Sequence, residues 1–163
     1  MAARCSLDGM AIRLHKISPH RHLLEVEGDA ASTRELDTRS FLRHDLMHWC
    51  IECRGGIDRA LYGKLGRGEP LDGMSMAPGD VSAGTPLHGT EILVGMMQGA
   101  EARNADPDEF VAVAREYLTL QGQQVPPFFD AAFVRNVLAD YRRLYGQWQQ
   151  LRIGGVLELR GFP

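Results

Sequence analysis

A chain of 163 residues suits one folding unit of ordinary size. Hydrophobic residues make up 44% and charged residues 24%, which excludes the compositions that keep chains disordered. The net charge of -3 supplies no general basic field, so nucleic acid is not an expected partner.

In chain order, Met10 to Ile17 places Met10, Ile12 and Leu14 on one side, as a half-buried strand does. After the turn residues Ser18, Pro19 and His20, Leu24 and Val26 alternate with Glu25 and Glu27, which predicts a β-hairpin with His20 and His22 at its polar tip. The run Asp29 to Thr33 reads as a connection. A first helix is predicted from about Ser40 to Arg54, ending at Gly55-Gly56, where glycine can take the left-handed cap conformation. From Gly63 to Gly89, repeated glycines and prolines predict a long loop with no phosphate-binding spacing.

A second helix is expected from about Thr90 to Ala102, and a third between Asp106, a capping residue followed by Pro107, and Gly122. Asp130 then caps the last helix, in which Phe133, Val134, Val137, Leu138, Tyr141, Leu144, Tyr145, Trp148 and Leu151 recur at helical spacing as a core stripe. Phe128 and Phe129, just before it, are expected to pack into the core. Val156 to Arg160 is strand-like and can join the hairpin. The architecture that follows is α+β: a small antiparallel sheet, made of the N-terminal hairpin and a C-terminal strand, packed by three or four helices in one domain.

The start, Met1 to Gly9, lacks the apolar core of a signal peptide, and no uncharged apolar run approaches the roughly 20 residues of a membrane span. The expectation is a cytoplasmic protein with no membrane partner. Its three cysteines, Cys5, Cys50 and Cys53, are an odd number and read as reduced thiols. Cys50 and Cys53 form a Cys-x-x-Cys pair at a helix C-terminus, where the dipole disfavours a thiolate, so buried packing is expected of them. Between Thr38 and Gly68 six basic residues stand against three acidic ones, an excess that can attract an anion.

The chemistry concentrates in the first helix. At roughly 100° per residue, His44, Asp45, His48 and Glu52 share one face, while Leu42, Leu46, Trp49, Cys50 and Cys53 share the other. Imidazoles at i and i+4 can meet on a single ion, so His44 and His48 are candidate ligands of a divalent metal such as zinc. A third ligand is needed, and Glu52, Glu91 and His88 are the candidates. His44-Asp45-Leu46-Met47-His48 resembles the metalloprotease motif His-Glu-x-x-His, with Asp45 in the place of the general base and one methylene shorter. Asp45 is therefore the candidate catalytic residue of a metal-dependent hydrolase. The alternative is a non-catalytic binding or assembly module, with a partner or small anion on this face, a structural hydrogen-bond network, or self-association as a homo-oligomer.

The segment Asp37 to Glu52 also resembles a signature in a group of small uncharacterised bacterial proteins, in which His-Asp-Leu-x-His-aromatic-x-x-Glu follows an N-terminal hairpin. That resemblance covers about residues 10 to 100 and implies the same hairpin-then-helix order. It carries no activity to transfer, and directs attention to His44, Asp45, His48 and Glu52.

Overall fold

The computed structural model describes residues 10–27, 29–69 and 86–160. Alternation in β1 (Ile12–Lys16) and β2 (Arg21–Val26) buries Ile12, Leu14, Leu24 and Val26 on one face, and the two pair antiparallel with Leu14 opposite Leu24. The C-terminal strand β4 (Val156–Leu159) joins the other edge of β1, setting Leu157 against Leu14 and Leu159 against Ile12. This is the expected three-stranded core of an α+β fold.

A fourth strand extends it. Asp29 to Thr33, read from sequence as a connection, is the first half of β3 (Asp29–Asp37), which pairs antiparallel with β2 and gives the sheet order β3-β2-β1-β4. β3 is an edge strand whose one buried large apolar residue is Leu36, and backbone pairing to β2 holds it with little hydrophobic patterning.

Asp37 closes β3 and starts the next element, its carboxylate accepting from the Ser40 N–H at 3.0 Å. A π-helical turn (Thr38–Leu42) leads into α1 (Arg43–Gly55), which ends at Gly56 with φ +60°. Helices α3 and α5 and the short segment after α1 pack against it, and every residue from Asp45 to Cys53 is buried. The face carrying His44, Asp45, His48 and Glu52 is thus an internal one, whereas amphipathic patterning alone points it at solvent.

A short helix absent from the sequence reading, α2 (Leu61–Gly66), follows at the start of the expected long loop; residues 70–85 of that loop lie outside the described residues. Helix α3 (Pro86–Arg103) begins four residues earlier than expected. In α4 (Pro107–Leu120), Asp106 accepts from the Asp108 and Glu109 N–H groups, and Phe110, Ala114 and Leu118 face inward. Asp130 caps α5 (Ala131–Gln150) by accepting from the Phe133 N–H at 2.7 Å. The α5 stripe is buried from Phe133 to Trp148 except for half-buried Tyr145, Phe129 is fully buried and Phe128 half-buried. The described helices therefore number five, one more than the upper expectation, because of α2.

Cys50 and Cys53 are buried, and desolvation pushes the Cys50 thiol far above its usual range. Cys5 lies outside the described residues. Among the described residues no helix is long and apolar enough to cross a membrane.

Candidate metal centre

His44 and His48 occupy successive turns of α1, and their rings meet edge to face with centroids 4.6 Å apart. Opposite them, α3 lays Glu91 across both. Its carboxylate accepts from His44 Nε2 at 3.0 Å and from His48 Nε2 at 2.7 Å, one oxygen to each ring. The ligand atoms of His44, His48 and Glu91 all lie within 4.8 Å of one another.

The far nitrogen of each ring meets a carboxylate of α1 itself. His44 Nδ1 lies 3.1 Å from Asp45 Oδ1, and His48 Nδ1 lies 3.0 Å from Glu52 Oε1. Glu52 is held in turn, its second oxygen accepting from the backbone N–H groups of Tyr62 and Gly63 at 2.8 and 3.0 Å. Residue 63 must be glycine for this approach, because a Cβ there would overlap the backbone carbonyl of Asp58. Thus α2, the element that sequence patterning does not reveal, fixes the carboxylate that fixes His48.

Each imidazole lies between two carboxyl groups, an arrangement that favours the doubly protonated ring in the metal-free state. Burial opposes the charge on His44, but hydrogen bonds to Asp45 and Glu91 outweigh it and carry its pKa up to about 9. His48 is raised despite its own burial by Glu52 and Glu91. Burial pushes Glu91 up, yet the two imidazoles bring it down to about 2.

Asp45, Glu52 and His48 are fully buried, while the His44 and Glu91 side chains are 24% and 30% exposed. The cluster is therefore closed at Asp45, His48 and Glu52 and open where His44 of α1 meets Glu91 of α3. Of the residues singled out from sequence, the structure gathers His44, His48 and Glu91 around one point and sets Asp45 and Glu52 on the opposite side of the rings. His88 is half-buried and is not part of that ligand cluster. Sequence reasoning did not reach Tyr62 and Gly63, whose contribution is through backbone N–H groups that leave no trace in residue type.

His22 is also placed differently from expectation. It is fully buried on the inner face of β2, with Nδ1 3.1 Å from Thr38 Oγ1, whereas His20 is exposed at the turn. Comparison of the chain with models of protein families, with curated proteins and with solved structures finds no match to any of them.

Proposed function

We propose that the protein binds a divalent metal ion through His44 Nε2, His48 Nε2 and the Glu91 carboxylate, with Asp45 and Glu52 as orienting partners of the two imidazoles. One observation carries this reading: both rings turn the same nitrogen onto one shared carboxylate, and each backs its other nitrogen with a separate buried carboxylate. Histidine ligands of metals are commonly held in this way, since a carboxylate at the far nitrogen fixes the tautomer and raises the basicity of the ligating one. Charge supports it as well. A divalent ion that displaces the two Nε2 protons leaves the net charge of the three-carboxylate cluster unchanged.

Two histidines and one carboxylate form an open ligand set, suited to zinc or to a metal that prefers mixed nitrogen and oxygen donors. The exposure of His44 and Glu91 leaves a side from which water and substrate can arrive. An ion there lowers the pKa of water and polarises a carbonyl or phosphoryl oxygen, which is the chemistry of a metal-dependent hydrolase. In this reading Asp45 is not the general base, because it addresses His44 from the Nδ1 side, across the ring from the ligating nitrogen. Its role is to orient His44, and Glu52 does the same for His48 instead of serving as third ligand.

A second reading is a structural network without metal, favoured by the fact that all four ring nitrogens already have carboxylate partners. Elemental analysis of untagged protein separates the two. Near-stoichiometric metal, lost in His44→Ala, His48→Ala and Glu91→Gln, is the expected result; protein that neither carries metal nor binds added zinc, manganese or iron leaves only the network.

A further inference from the structure

Behind His44 the interior contains polar atoms that the metal reading does not use. Asp45 Oδ2, His22 Nε2, Tyr62 Oη and Trp49 Nε1 are buried and have no hydrogen-bond partner among the described residues. Leaving such a group bare costs on the order of 1–3 kcal/mol, and more for a carboxylate, so four together call for a common explanation.

Each is carried by α1, or is tied to α1 or to the turn that leads into it. Trp49 lies one turn beyond Asp45 on α1, and its ring meets Tyr62 edge to face at 5.1 Å. The Tyr62 backbone is tied to α1 through Glu52. His22 is bonded to Thr38, two turns before Asp45 on the same continuous helical segment. The Asp45 charge acts on both His22 and Tyr62.

Their chemistry is complementary. The indole N–H can only donate, the phenol and imidazole can donate, and the free carboxylate oxygen accepts. A negatively charged acceptor in the group argues against an anion as occupant. Water, which needs two to four polar partners, matches the set.

We propose that these four atoms enclose a buried hydrated pocket of one or two ordered waters, which holds Asp45 behind His44 and makes His22 and Tyr62 positioning residues of the metal centre. The positioning role rests on the metal reading above; the hydrated pocket does not.

The two parts are tested separately. In the metal-free protein, water-selective NMR should show a long-lived water in contact with the Trp49 indole proton, and Tyr62→Phe should weaken or remove that signal. Absence of such water in the wild type overturns the pocket, whatever the metal does. Titration with Co2+ then reads the centre itself. Tyr62→Phe and His22→Leu, each checked for unchanged circular dichroism, should bind Co2+ roughly 3- to 10-fold more weakly, with shifted visible absorption bands, while His22→Gln restores much of the loss. Wild-type spectra and affinity in both variants overturn the positioning role. A wild type that shows the water but binds no Co2+ refutes the metal reading and leaves the pocket standing.

Discussion

Metal binding at His44 and His48 must compete with protons, and the structure sets how strongly. Each ring is held doubly protonated between carboxylates, and His44 has a pKa of about 9. At pH 7.5 that makes His44 more than roughly nine-tenths protonated in the metal-free protein. His48, raised in the same way, adds a second displaceable proton. Zinc or cobalt binding near neutral pH should therefore release between one and about two protons, and affinity should climb roughly 10- to 100-fold per pH unit from about 6.5 to 8.5, with the His44 contribution flattening above about 9. Each proton corresponds to about 1.4 kcal/mol per unit. Titration calorimetry in buffers of different ionisation enthalpy measures the proton count directly, and the same titrations at several pH values give the slope. Release of less than about half a proton, or an affinity independent of pH in this range, would refute the argument, since it would show that neutral imidazoles greet the metal.

The same groups set an opposite trend in the metal-free protein. The raised His44 pKa contributes stability that is complete below about 6.5 and lost as pH rises through about 9, while the lowered Glu91 pKa contributes stability present above about 4.5 and lost as pH falls through about 2. Thermal unfolding without metal should thus favour mildly acidic over mildly alkaline buffer, and added metal should reverse the preference. Asp45→Asn and Glu52→Gln should weaken metal binding by roughly 10- to 100-fold without abolishing it, as measured against a competing chelator. Gly63→Ala, whose methyl meets the Asp58 carbonyl, should disturb the two N–H groups on Glu52 and lower both stability and metal affinity, and denaturant melts with and without metal will show it. In the core, Val137→Ala and Leu138→Ala should each cost about 2–4 kcal/mol in urea unfolding; near-native stability would contradict their burial.

The hairpin, β4 and α5 were legible in the sequence because each buries one regular face, with periods of two and of 3.6 residues. β3 was not. Ala30, Ala31 and Ser32 give no alternation to read, and an edge strand held by backbone pairing needs none. The depth of the first helix was not legible either. The shared face of His44, Asp45, His48 and Glu52 is readable from their spacing, but spacing does not say whether that face meets solvent or the interior, and imidazoles and carboxylates can be buried together when each completes another's hydrogen bonds. The i, i+4 histidines were visible as a pair. Glu91 was one of three candidates for a third ligand, and only the packing of α3 on α1 brings it 43 residues along the chain to His48. No local pattern encodes that separation.

Burial of α1 on all sides also governs how this protein will respond to random substitution. From Asp45 to Cys53 there is no exposed position, so a saturation library should show an unbroken block of intolerance across nine residues, with ligands, orienting groups and plain packing residues depleted alike. Sensitivity along this helix therefore reports enclosure before it reports chemistry. The exchanges that separate the two keep volume and change a single atom, Asp45→Asn, Glu52→Gln and Tyr62→Phe among them, and they are the ones a library of large steps passes over.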